Sequence, residues 1–154
     1  MRTFRSLVLI AALPAIAACA TSPQPESQPA QPAAVLPSSI PADQLVGNWG
    51  LGSYHQDAAR ARTEAMARTQ CRQPYRIAKG PTGGVMMHLA DATQLSELRL
   101  KGGPGGKNYV GPDGPIDTVD REIVSFDGQV LIMRWLDPDV AGRYGTMIYV
   151  RCRS

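Results

Sequence analysis

The strongest constraint on the fold is a pair of apolar stretches set around a tight-turn dipeptide. Glu122-Ile-Val-Ser-Phe126 and Gln129-Val-Leu-Ile-Met-Arg-Trp-Leu136 flank Asp127-Gly128, which suits the positive φ angles of a two-residue hairpin turn. Paired through that turn, Val124, Phe126, Leu131, Met133 and Trp135 share the face expected to be core. Ile123, Ser125, Val130, Ile132 and Arg134 occupy the opposite face, which is apolar enough to be at least half covered. This segment is antiparallel sheet with cover on both sides.

Further strands follow from alternation. Leu45 to Tyr54 opens the series, loosened by its glycines. Pro74 to Lys79 and Gly83 to Ala90 are short strands separated by Gly80-Pro81, the second placing Val85, Met87 and Leu89 together. Leu95 to Lys101 sets Leu98 and Leu100 against Glu97, Arg99 and Lys101, and Thr146 to Cys152 aligns Ile148, Val150 and Cys152. Between the first two strands, Gln56 to Gln70 reads as a helix, with Ala58, Ala61, Ala65 and Met66 on one side and Arg60, Glu64 and Arg68 four apart on the other. The expected fold is therefore mainly antiparallel β with one helix (α+β), a small curled sheet or barrel of about seven short strands. It spans residues 42–154 as a single domain of ordinary size, and no internal repeat divides it.

The N-terminus carries an address. Arg2 and Arg5 precede an apolar run from Leu7 to Ala18, interrupted by Pro14. Its twelve residues fall short of the about 20 needed to cross a bilayer, and a basic start with a short apolar run is the pattern of a cleaved leader. The run ends in Ile16-Ala17-Ala18-Cys19, which resembles the lipobox of bacterial lipoproteins. That resemblance implies a signal peptide over residues 1–18, cleavage before Cys19 and acylation of its thiol. Several acyl chains, palmitate among them, would make the anchor durable where one binds marginally. Ala20 stands where an aspartate would favour retention at the inner membrane, so the outer membrane, facing the periplasm, is expected. The alternative is plain secretion after Ala18-Cys19-Ala20. Residues 19–41 hold six prolines with Gln, Ser and Ala, the composition of an extended spacer.

With Cys19 committed to lipid, Cys71 and Cys152 remain as an even pair in an oxidising compartment. A disulfide would close a loop of roughly 80 residues, for which chain entropy gives on the order of 4.5 kcal/mol; the alternative is two buried free thiols. Two cysteines and two scattered histidines lack zinc-ligand spacing, and neither a metal nor another cofactor is expected.

The chain has sixteen basic and thirteen acidic residues. Removing Arg2 and Arg5 leaves fourteen basic residues and a mature charge of +1, which disfavours nucleic acid as a partner. Charge is uneven, however. Arg60, Arg62, Arg68, Arg72, Arg76 and Lys79 cluster around a single acid, Glu64. Arg60, Arg68 and Arg72 form a candidate face toward anionic lipid or glycan, set against an ordinary solvated helix surface.

Motifs for catalysis fail on spacing. Gly102 to Lys107 has no glycine five residues before Gly106, and Asn108 stands where a phosphate loop needs Ser or Thr; with Gly111 to Pro115 it reads as one long loop. Ser53, His55 and Asp57 alternate along a strand without a nucleophile elbow, and His88 near Asp91 reads as a strand end beside a turn. Asp137-Pro138-Asp139 followed by Gly142 lacks the later acids of a calcium loop and reads as a turn. No enzyme is expected.

Gly47-Asn48-Trp49, a G-x-W near the first strand, resembles the opening of lipocalins and of the small Inh-type metalloprotease inhibitors, whose barrels are nearer this size. The resemblance covers about ten residues; the immediate helix and the cysteine pairing depart from it. The expectation is a lipid-anchored, non-enzymatic domain that binds an envelope protein or glycan. One alternative is an Inh-like protease inhibitor presenting a segment near Ala42 to Asn48. Another is a lipocalin-like binder of a small apolar ligand, its cavity lined or filled by the five methionines beyond the leader. Cys19→Ser should abolish incorporation of labelled fatty acid and release the domain from membranes; normal labelling of that variant would refute the anchor.

Overall fold

The computed structural model describes residues 35–153. Cys19, the leader and the first part of the spacer lie outside the described residues. Nine strands form one antiparallel sheet: β1 (Leu36–Pro37), β2 (Gly47–Tyr54), β3 (Tyr75–Lys79), β4 (Val85–His88), β5 (Leu95–Gly102), β6 (Asn108–Gly111), β7 (Arg121–Phe126), β8 (Val130–Trp135) and β9 (Thr146–Arg151). Each strand from β2 to β9 pairs with the next in sequence, and β9 pairs with β2, so eight strands close into an up-and-down barrel. Closure leaves these strands no free edge to cover. β1 adds to β5 through Leu36 opposite Gly102 and Pro37 opposite Lys101, although both residues fall in the stretch read as spacer.

An eight-stranded barrel is just wide enough to be filled by its own side chains. Here Trp49, Ile77, Val85, Met87, Leu98, Val110, Leu131 and Met133 are buried inside it, with Leu45 below them. A second, smaller core lies outside the barrel wall. Helix α1 (Arg60–Thr69), between β2 and β3, packs across β2 and β9, and Ala67 meets Tyr54, Ile132, Ile148 and Val150 there. The expected cover on the second face of β8 is therefore this helix.

The helix turns a different side to the sheet from the one its alanines suggest. Ala58, Ala61, Ala65 and Met66 are exposed, whereas Ala59, Thr63 and Ala67, four apart, face the barrel. The reason lies in β2. A Cβ on Gly50 would stand 1.9 Å from the carbonyl oxygen of Ala67, and one on Gly52 would stand 2.9 Å from Thr63 Cγ2. The glycines of the first strand thus form a trough into which the helix backbone settles. Cys71, in the 3-10 turn after α1, bonds to Cys152 beyond β9 and fastens the helix end to the closing seam.

The β7–β8 hairpin forms as expected, with two corrections. The central turn residues are Gly128 and Gln129, with Gly128 alone at positive φ (+86°), the type II′ pattern. Asp127 caps the turn by accepting from the backbone N–H of Gln129 and Val130. The register shifts between Ile123 and Ser125. This bulge turns Ile123 and Phe126 inward and leaves Val124 about half exposed, not in the core.

Two further elements were not anticipated. Asn108–Gly111, within the expected glycine loop, is β6 and completes the barrel between β5 and β7. Asp137-Pro138-Asp139 opens helix α2 (Pro138–Tyr144): Asp137 is its N-cap, accepting from the N–H of Asp139 and Val140, with proline in the first turn. Residues 112–120 lie on the outer wall and are pinned by a buried ion pair. Lys101 Nζ donates to both oxygens of Asp120 at 2.9 Å and to the Pro115 carbonyl at 3.0 Å, which accounts for three ammonium donors.

Gly50→Ala should lower the unfolding free energy by about 1–3 kcal/mol by overpacking, because the obstructing atom is backbone. Gly142→Ala in α2, where a Cβ meets nothing, should be neutral or slightly stabilising. Denaturant unfolding of both variants checks the contrast.

Candidate functional site

The two ends of the barrel are built differently. At one end a 3-10 turn, Ala42–Gln44, leads into the fully buried Leu45 and then Trp49. Trp49 Nε1 donates to the Leu45 carbonyl at 2.9 Å. Arg151, opposite Trp49 in the β2–β9 register, lays its guanidinium 4.1 Å from the indole ring centre. It also donates to the carbonyls of Gln44, Val46 and Gly128. One cation thus ties the entering chain, the first strand and the β7–β8 turn into a seal, with the cation–π contact adding to the carbonyl bonds.

The inward residues climb away from that seal: Leu51 and Tyr149 are paired, Met147 faces Met133, and Trp135 faces Arg121. There, at the far end, lies a cavity of about 270 Å³ lined by residues including Tyr75, His88, Arg121, Trp135, Tyr144 and Tyr149. It is an open cup with an aromatic wall and a charge at its floor.

Arg121 is 2% exposed. Its guanidinium lies 4.2 Å from the centre of the Trp135 ring, and Nη2 donates to the His88 carbonyl. Among the described residues Nε is buried without a partner, as is Nε1 of Trp135. Arg121 forms no ion pair among the described residues, so its charge is compensated by a carbonyl dipole, the Tyr149 hydroxyl and a π-face.

His88, at the end of β4, is the hub of the cup. Its backbone N–H donates to the Tyr75 hydroxyl at 3.0 Å, its ring Nδ1 lies 3.2 Å from the same hydroxyl, and its carbonyl takes Arg121. Tyr75 in turn stands edge-on to Tyr149 with ring centres 5.9 Å apart. Burial pushes both hydroxyls above the ordinary phenol range, while the positive charge of Arg121 pulls against it. Both tyrosines therefore keep their protons at neutral pH and present donors beside the guanidinium.

The rim is a clamp. Asp91, in left-handed backbone (φ +58°), accepts from the Tyr144 hydroxyl and from Arg143 Nη2. This joins the β4–β5 loop to α2 across the mouth. The Tyr144 hydroxyl and then the Arg143 guanidinium hold the Asp91 carboxyl below the usual carboxylate range.

The residues singled out from sequence fall elsewhere. Arg60, Arg68 and Arg72 are all exposed, on and just after α1. Arg68 is bonded to Glu64 at 2.6 Å, and Arg60 lies near enough to Asp127 to lower its carboxyl slightly, behind the larger effect of the turn's N–H groups. Ser53, His55 and Asp57 are exposed and make no hydrogen bond to one another among the described residues. His88 and Asp91 do reach the same cup, but through different partners. Cys71 and Cys152 are bonded. Compared with family models, curated proteins and solved structures, the chain matches none.

The lowered Asp91 value fixes the sign of a pH effect. A depressed carboxyl contributes stability above its unfolded value near about 3.9 and loses it as pH falls through the lower folded value. Asp91→Asn should therefore reduce Tm modestly at pH 7, and the difference from wild type should narrow as pH falls below the unfolded value and on through the lower folded one. A Tm gap unchanged across that range would mean the clamp does not form.

Proposed function

We propose that the chain is a lipid-anchored envelope protein of the outer membrane, facing the periplasm, whose barrel is a non-enzymatic binding module. The observation that carries this reading is the asymmetry of the barrel. One end is sealed by Trp49 and Arg151, and the other opens as a cup with buried donors that have no protein partner. Pockets that bind small molecules combine apolar walls with a few convergent polar groups. The lipobox-like Ile16-Ala17-Ala18-Cys19 supports the anchor, and the Cys71–Cys152 bond fits an oxidising compartment.

The cup is a better candidate for the binding surface than the basic helix face, whose charges are exposed and partly answered by Glu64 and Asp127. An inhibitor reading draws less support, because Ala42 to Asn48 is folded into the seal with Leu45 fully buried and Arg151 on its carbonyls. A protease cleft would have to be entered by residues before Ala42.

Hydrogen exchange on the mature lipoprotein in micelles, with and without solubilised extract of its own envelope, tests the reading. Slowed exchange is expected at residues 88–92, 118–121 and 135–149. Protection confined to α1 or to residues 42–48, or no protection anywhere, would overturn it.

A further inference from the structure

We propose that the cup at the open end of the barrel binds a small organic carboxylate, with Arg121 as its anchor and a flat apolar body against the aromatic wall. This rests on the binding-module reading above and specifies its ligand.

Arg121 is the reason. An ionised side chain removed from water carries a large desolvation cost unless it is paired and hydrogen-bonded. Two other cations of this barrel meet that requirement within the protein. Lys101 has Asp120 and the Pro115 carbonyl, and Arg151 has three carbonyls and the Trp49 face. Arg121 is as buried as Lys101, yet its guanidinium has only the His88 carbonyl, the Tyr149 hydroxyl and the Trp135 ring about it, with Nε unpartnered among the described residues. Arginine cannot escape by losing its proton. Arg121 is itself one of the residues that line the cavity, so a ligand group entering there can supply an acceptor to its guanidinium.

The surroundings select the kind of anion. A single guanidinium balances a single negative charge, and its planar fork matches a carboxylate. The donors beside it are the neutral Tyr75 and Tyr149 hydroxyls and Trp135 Nε1. Among the described residues no second cation completes a site for a doubly charged phosphate, because Arg143, at the rim, is held by Asp91. The walls beyond the floor are Leu51, Leu89, Met147 and the rings of Tyr75 and Trp135, which suit an apolar body. The volume of about 270 Å³ lies just under the range of drug-sized sites, so the body is small.

The test is calorimetric titration of the full lipidated protein in micelles. The probes are benzoate and 3-phenylpropionate, their amides, and inorganic phosphate. Both carboxylates should bind at least about tenfold more tightly than the matching amides, the difference expected for one charge-assisted contact. Phosphate should bind more weakly than either. Arg121→Gln should erase the preference of acid over amide, a readout that a purely structural arginine would not move selectively. Arg121→Lys should keep a reduced preference. Ala90→Phe, which fills the cup and leaves the charge, should lose both classes, and it carries the test if Arg121→Gln does not fold. Equal binding of acid and amide, tighter binding of phosphate, an undiminished preference in Arg121→Gln, or no binding of any probe would each overturn the proposal. Envelope extract that still protects residues 88–92 and 135–149 would then show that the ligand class fails while the binding module stands.

Discussion

Everything in this domain depends on the seam where β2 meets β9. β2 must serve two cores with alternate residues. Trp49 and Leu51 point into the barrel, while Gly50 and Gly52 lie under α1 with no side chain between strand and helix backbone. A strand with three glycines, Gly47 among them, gives little packing of its own and costs backbone entropy. The seam is accordingly reinforced from both sides. The Cys152 N–H donates to the Asn48 carbonyl, Cys71 bonds to Cys152, and Arg151 reaches across to Val46. The disulfide spans 81 residues, nearly the whole barrel, so it limits the unfolded chain where closure entropy is largest.

How much of this could be read in the sequence depended on whether a pattern was local. Alternation over β4, β5, β8 and β9 is a property of consecutive residues, and the expected inward faces Val85–Met87, Leu98–Leu100 and Leu131–Met133–Trp135 are the faces observed. The cysteine pairing followed from compartment and parity and is present. The helix face is not legible from its alanines, because their spacing carries nothing of the partner's shape. The trough in β2 accepts the 59–63–67 stripe, and Ala58, Ala61 and Ala65 face outward. β6 was hidden by composition, since Asn108 to Gly111 is a strand between glycine-rich segments held by pairing with distant strands on both sides.

The bulge in β7 had the largest consequence for the site. Strict alternation through the hairpin put Val124 inward and Ile123 outward. The inserted residue reverses that parity at the start of the strand, so Ile123 and Arg121 both point into the barrel. Flanked by Asp117, Asp120 and Glu122, Arg121 looks in sequence like one more surface charge. Its neighbours on either side are indeed engaged on the outer wall: Asp120 with Lys101, and Glu122 with Lys107 and Arg134. A one-residue difference in register decides whether an arginine is a solvated side chain or the floor of a cavity. The one available signal was the apolar Ile123 two residues along, legible only once the bulge is placed.

Arg121 and Arg151 then divide the barrel into two ends by the same physical means. Each stacks on the tryptophan opposite it in the ladder, Arg121 on Trp135 and Arg151 on Trp49. At the sealed end the chain folds back, so that the carbonyls of Gln44 and Val46 take a bond from each Nη and Leu45 closes the bore. At the other end the covering elements, the β4–β5 loop and α2, are fastened to each other through Asp91, Arg143 and Tyr144. The guanidinium there takes one backbone carbonyl, that of His88 at the end of β4, and its Nε takes none. The same cation–π unit is thus a plug where backbone completes it and an open donor where backbone does not. That contrast within one molecule separates a structural arginine from one poised for a ligand.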